Sequence, residues 1–225
     1  MKSKVSKTAV VLLSGGLDSA TVLYYALARG YKCRVLIFDY GQRHKREIAS
    51  AVKIAKSSKS DYQILKINFP WKGSALLDKK IKVPETIAKG IPATYVPARN
   101  IIFLSFALSL AEVIKARAIF IGAHAQDYSG YPDCRPEFFK AFVKMAEAGI
   151  AAKDKIKILA PLLNKNKSQI IKLGKSLGVP FNLTWSCYRA GKTPCGKCDS
   201  CFYRAKGFKE AGLIDPLINK GEVAE

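Results

Sequence analysis

An apolar run that stops at two glycines and resumes as a helical pattern is the feature that most limits the folds open to this chain. Ala9 to Leu13 is continuously apolar and rich in valine, Gly15 and Gly16 follow, and Leu17, Thr21, Tyr24, Tyr25 and Ala28 then recur at helical spacing up to Gly30. A short continuous run predicts a strand buried on both faces, because a half-exposed strand would alternate. The following helix ends at a glycine, the residue that most readily takes the left-handed conformation that terminates helices. Cys33 to Tyr40 predicts a second buried strand, Arg46 to Lys56 an amphipathic helix, and Tyr62 to Ile67 a third strand. This alternation predicts an α/β fold: an open parallel sheet with helices on both faces.

Phe69 to Ala98 breaks the alternation with four prolines, two glycines and the basic stretch Asp78 to Lys82. A segment this long without periodicity is more often a functional lid than a plain connection. Asn100 is expected to cap a helix reaching Ala116. Ala118 to Ala123 predicts a buried strand, Pro136 opens a helix to Ala148, Ile156 to Leu159 forms a short strand, and Ser168 caps a helix ending near Leu177. From Thr184 the composition turns to Cys, Gly, Lys and aromatics. The expected organisation is therefore a main domain over 1–183, with a lid at about 69–98, and a small module over 184–225 in which Asp199 to Ala211 returns as a helix.

The chain has 225 residues, 49% of them hydrophobic, enough for one substantial core. No run of 18 uncharged apolar residues is present, so no membrane span is expected. The basic N-terminus lacks a small-residue cleavage site, and a cytoplasmic location is expected. In that compartment six cysteines point to metal or chemistry before disulfides. Lys and Arg total 38 against 17 Asp and Glu, a formal charge of +21. Such a balance favours anionic partners, but the lysines are spread along the chain as on a solvated surface, and no specific nucleic-acid partner is expected.

Ser14-Gly15-Gly16-Leu17-Asp18-Ser19 sits between the first strand and its helix. Glycines let the backbone turn and approach an anion, while the free N–H groups and dipole of the first helical turn attract it. Ser14 and Ser19 can donate further bonds. A carboxylate at Asp18 would repel bare phosphate, so it implies magnesium bridging to the oxygens. The Gly-Lys-Ser/Thr ending of the P-loop NTPases is absent. The second strand ends in a polar cluster around Asp39 and His44, and the fourth near His124, where ligands of parallel sheets gather. Neither histidine is taken as a catalytic base.

Cys187, Cys195, Cys198 and Cys201 have the spacing C-x7-C-x2-C-x2-C. Four thiolates complete a tetrahedral zinc and leave no open position, which makes the site structural; an iron–sulfur cluster is the rival reading. Gly196 permits the tight turn between ligands. Between Asp127 and Phe138 the chain packs Ser129, Tyr131, Asp133, Arg135 and Glu137 into one loop. Tyr131 can stack on a flat ring, Asp133 and Glu137 can pair with a guanine-type edge, and Arg135 can hold a carboxylate bidentately.

Five stretches, spread in order over nearly the whole chain, resemble the 7-cyano-7-deazaguanine synthase (QueC) family of the N-type ATP pyrophosphatase superfamily. They are Leu13 to Ser19, Phe38 to His44, Val96 to Asn100, Asp127 to Phe138, and Thr184 to Tyr188 together with Cys195 to Cys201. The phosphate loop alone marks the superfamily; the Ser129 to Arg135 string with the four cysteines is more specific. The resemblance implies that the carboxylate of 7-carboxy-7-deazaguanine attacks ATP to give an acyl-adenylate and pyrophosphate, that ammonia forms the amide, and that a second ATP drives nitrile formation. It implies an ATP-binding set of Leu13, Ser14, Gly15, Gly16, Leu17, Asp18, Ser19, Ala20, Thr21, Asp39, Arg99 and Asn100. Asp127, Ser129, Tyr131, Asp133, Arg135 and Glu137 are the implied substrate set. Asp18, Arg99 and Arg135 are the expected catalytic residues. One structural zinc, ATP with magnesium, small-molecule partners and a homodimer complete the expectations. A tRNA-modifying ATP pyrophosphatase is the alternative, which the basic charge suits.

Overall fold

A computed structural model describes residues 7–85, 90–124, 130–152, 154–189 and 191–217. Strands β1 (Lys7–Leu12), β2 (Tyr31–Asp39), β3 (Asp61–Lys66), β4 (Ala118–Phe120) and β5 (Lys157–Leu159) form one sheet in the order β3-β2-β1-β4-β5. Every pairing is parallel. The central strand explains the unbroken apolar run: Ala9, Val10 and Val11 are fully buried, and successive side chains enter different cores. Ala9 and Val11 face helices α1 (Leu17–Ala28), α2 (Arg46–Ser57), α5 (Lys167–Ser176) and α6 (Asp199–Ala211). Val10 and Leu12 face α3 (Arg99–Val113) and α4 (Pro136–Gly149). Among the described residues, no helix is long and apolar enough to cross a membrane.

The expected elements are present, with informative differences at their ends. β4 stops at Phe120 rather than Ala123, because its partner β5 has only three paired residues. One further bond, from Ile121 N–H to Leu159 O at 3.0 Å, carries the extended chain beyond the ladder. Asn100 is not the cap of α3. That position is Ala98, at φ 56°, and the carboxylate of Asp133 accepts from the Asn100 backbone N–H at 2.9 Å. Ser168 is likewise not the cap of α5. Asn166 accepts from Gln169 N–H, and the Gln169 side chain accepts in return from the Asn166 backbone, a complete capping box.

The segment from Phe69 to Ala98 has no regular element in its described part, yet it is packed. Ala75 is fully buried and its N–H donates to Ala93 O at 2.7 Å, while Arg43 N–H donates to Leu76 O at 2.8 Å.

Candidate active site

The strand order reverses between β1 and β4, and a crevice opens at the carboxyl ends of the strands there, where open α/β sheets bind ligands. It holds a cavity of about 310 Å³. Its floor is the β1–α1 loop. Gly15 takes φ +86°, and a Cβ there would stand 2.2 Å from the Glu47 carbonyl oxygen, so only glycine lets this loop lie against α2. Ser14 Oγ and Ser19 Oγ are 3.0 Å apart, and Ser19 Oγ donates to Gly16 O. Gly122 packs closely opposite, where an added Cβ would stand 3.0 Å from Ser19 N.

Asp18 is held by an unanticipated partner. Lys167 Nζ donates to both of its oxygens, at 2.8 and 2.9 Å, and lies 2.9 Å from His124 Nε2. Burial would raise the Asp18 pKa, but the Lys167 ammonium and His124 overcome it and hold the carboxyl well below the usual carboxylate range. Each oxygen keeps lone-pair capacity for a further ligand. Lys167 is the first residue of α5, and its stem packs against Gly207 of α6, where a Cβ would stand 2.4 Å from Lys167 Cγ. One lysine among many, it carries no sequence signal. His124 stands where the sequence placed it, after the fourth strand, but its contact with Lys167 carried no sequence signal.

Arg99 lines the cavity, with Nη1 donating to Tyr40 Oη at 3.3 Å. Glu47 also lines it; burial pushes its pKa up to about 7, a shift that Arg99 opposes. The sequence signal for Glu47 was faint: an acidic residue in the first turn after the second strand. Of the other expected ATP residues, Leu13, Ser14, Gly16, Leu17, Ser19 and Asn100 line the cavity. Ala20 and Thr21 are fully buried in the core, and the Thr21 hydroxyl donates to Leu17 O. Asp39 lies outside the cavity wall.

Of the expected substrate residues, Tyr131 reaches the wall, and its hydroxyl lies 3.0 Å from Thr94 Oγ1 of the long segment. Asp133 is buried and bound to Asn100, while Arg135 and Glu137 are exposed and outside the wall. Asp127 and Ser129 lie outside the described residues.

Residues from Trp185 onward line the remaining side. Trp185 N–H donates to Gly15 O at 2.8 Å, and the Arg46 guanidinium lies over the Trp185 ring at 4.2 Å. His44 Nε2 is 2.7 Å from Tyr188 O. Trp185, Tyr188, Tyr203 and Arg204 all face the cavity. Arg204 is buried and fully engaged, bidentate to Asp215 at 2.6 and 2.9 Å and bonded to Thr184 Oγ1 at 2.8 Å. The Sγ atoms of Cys187, Cys195, Cys198 and Cys201 lie within 4.8 Å of one another. A metal with sulfur ligands at about 2.3 Å needs edges of about 3.8 Å, and Cys195 and Cys201 are 3.9 Å apart. Gly196 takes φ +71° at the turn between ligands. Backbone N–H groups of Arg189 and Cys195 point at the Cys187 sulfur, and that of Cys198 at the Cys195 sulfur, as thiolate ligands require. The four cysteines therefore fit a metal ion.

The model of the family described as queuosine biosynthesis protein QueC matches residues 8–212. A 7-cyano-7-deazaguanine synthase of Pseudomonas fluorescens is 53% identical over 218 residues, 93% of this chain and 97% of that protein. Another, of Nostoc punctiforme, is 49% identical over 220 residues, covering 93% and 98%. Among solved structures, NMN synthetase from Francisella tularensis superposes with a TM-score of 0.51 at 17% identity, over 94% of this chain and 79% of that one. At that identity the likeness concerns the fold.

Proposed function

The chain belongs to the QueC family, and on that premise we propose that it is an ATP-dependent 7-cyano-7-deazaguanine synthase acting on 7-carboxy-7-deazaguanine and ammonia. The observation that carries this reading is a single cavity walled by the phosphate loop, by Arg99 and by Tyr131. That wall brings together a loop suited to phosphates, a cation and an aromatic ring, the groups a nucleoside triphosphate and a flat acid would each require.

In the first step the substrate carboxylate attacks the α-phosphorus of ATP and pyrophosphate leaves. The glycine loop and the first turn of α1 receive the phosphates, and Lys167 and Arg99 supply positive charge where negative charge develops. Asp18 positions Lys167 and would hold magnesium, which would neutralise phosphate charge. Tyr131 stacks on the deazaguanine ring, with Asp127, Ser129, Asp133, Arg135 and Glu137 as the remaining proposed substrate residues. Ammonia then displaces AMP to give the amide, and a second ATP activates the amide oxygen so that AMP again leaves. Hydroxide and oxide are poor leaving groups, and AMP is a good one. The wall residues Leu76, Gly90 and Pro92 and the aromatics of the C-terminal module limit water, which would hydrolyse the acyl-adenylate. The metal at the four cysteines is proposed to be zinc, because sulfurs this close suit one tetrahedral ion better than a cluster several ångströms across. The protein is further proposed to act in the cytoplasm, as a homodimer.

Incubation with 7-carboxy-7-deazaguanine, ATP and ammonium is expected to yield the nitrile, AMP and pyrophosphate by mass spectrometry. ADP and phosphate as products would mean a different bond is cut. Modification of tRNA with neglect of the free acid would favour the alternative reading.

A further inference from the structure

Glu47 stands in the first turn of α2 and lines the cavity beside Ser14, Gly16, Tyr40 and Arg99. Its backbone is fixed by the close approach of Gly15, so it keeps a constant place relative to the phosphate loop. Asp18, another carboxylate of the wall, is committed to Lys167. Among the described residues, no hydrogen bond or ion pair engages the Glu47 carboxylate. It is an acid of the cavity wall left available to a ligand.

The proposed reaction, on which this inference rests, needs such a group. Ammonia carries three protons and the nitrile nitrogen carries none. In amide formation the C–N bond forms, the C–O bond to AMP breaks with its electron pair going to the phosphate oxygen, and one N–H proton leaves. In nitrile formation the amide oxygen bonds to the second α-phosphorus and pyrophosphate departs. The C–O bond then breaks with its electrons on AMP, and two more N–H protons leave. Adenylation of the carboxylate removes no proton at all.

We propose that Glu47 is the general base that takes the protons from nitrogen in the amide- and nitrile-forming steps. Burial poises it for this role, because a base titrating near 7 is available at neutral pH and still takes a proton readily. The accepted proton passes to bulk water through the cavity mouth between turnovers.

The test compares the wild type with Glu47→Gln and Glu47→Asp. Acid-dependent exchange of labelled pyrophosphate into ATP, without ammonium, reads adenylation; mass spectrometry with ammonium reads amide and nitrile. For Glu47→Gln the ratio of nitrile formation to exchange is expected to fall about 100-fold or more, in the range general-base catalysis supplies. At constant free ammonia, the wild-type rate of nitrile formation should rise with pH to a plateau above about 7; Glu47→Gln should lose that limb and Glu47→Asp should recover part of the rate. An unchanged ratio with the limb intact would overturn the proposal. So would equal loss of exchange and nitrile formation, which would assign Glu47 to the nucleotide. Absence of acid-dependent exchange in the wild type would instead count against the proposed function itself.

Discussion

Asp18 and Lys167 are 149 residues apart in the chain and 2.8 Å apart in space. Asp18 was legible because it sits in a short motif whose glycines and flanking strand state their purpose. Lys167 was not, since only the fold selects it from the other lysines. The same contrast separates Gly15, whose positive φ a Gly-Gly turn announces, from Glu47, whose role depends on what lies around it. Lys167→Met keeps most of the buried stem and removes the charge. It is expected to lower ATP-dependent pyrophosphate release by about 100-fold, the loss typical of one preorganised charge-stabilising donor. It also leaves the Asp18 carboxylate without its cation, which costs about 3 kcal/mol for a mostly buried pair. Because the folded-state pKa of Asp18 is depressed, its stabilisation is present above the ordinary carboxylate range and lost as pH falls through the folded value. The gap in melting temperature between wild type and variant should thus be widest near neutrality, start to narrow as pH falls toward about 4, and keep narrowing as pH approaches the folded value. Melting curves across pH check this, and a gap that widens in acid would contradict it.

Helices were easier to place than their caps. Pro136 and Asp199 open α4 and α6 where the pattern set them, because proline suits a first turn and the chain enters α6 directly from its N-cap residue Cys198. The N-terminus of α3 is capped from Asp133, 33 residues away in sequence, a contact that local pattern cannot reveal. Contact between α5 and α6 is similarly hidden, and it depends on Gly207. In an exposed helix interior, alanine for glycine would stabilise by about 1 kcal/mol. At Gly207 a Cβ would meet Lys167 Cγ at 2.4 Å, Lys167 Cβ at 2.9 Å and Ile171 Cδ1 at 2.9 Å. Gly207→Ala is therefore expected to cost about 1–3 kcal/mol by overpacking and to displace Lys167 from Asp18, with pyrophosphate release falling about 10-fold or more. Gly174→Ala is the control, since its Cβ would crowd Phe181 and Thr21 rather than the lysine. It should destabilise comparably while keeping more of the activity. Equal activity loss in the two variants, measured well below both melting temperatures, would show that α6 does not position Lys167.

For the molecule as a whole, the change of composition at Thr184 suggested an appended module, and the contacts across that boundary show how far it is built into the site. Trp185 bonds to the phosphate loop, Tyr188 to His44, and Arg204 and Tyr203 of α6 face the cavity. Cys198 caps α6 and Cys201 lies in its first turn, so the four-cysteine site fixes the start of the helix that carries Gly207 against Lys167. The basic charge, by contrast, is scattered over the chain, and a small acid needs only the local cations Lys167 and Arg99. On the proposed reading, a metal at the cysteines is structural in coordination and is expected to be necessary for turnover. Stripping it with a strong chelator frees the thiols, and among the described residues from Trp185 to Cys201 the local cluster consists of Trp185, Tyr188 and the four cysteines. Metal binding is coupled to folding in such modules, so loss of several kcal/mol, or about 10 °C in melting temperature, is expected for the chelated protein. Nitrile formation should disappear in proportion to metal content, and both properties should return together when zinc is restored. Cys198→Ser should reproduce the loss without recovery. Metal-free protein, confirmed by elemental analysis, that kept full turnover would show that the cavity wall and Lys167 hold their places without the four-cysteine site.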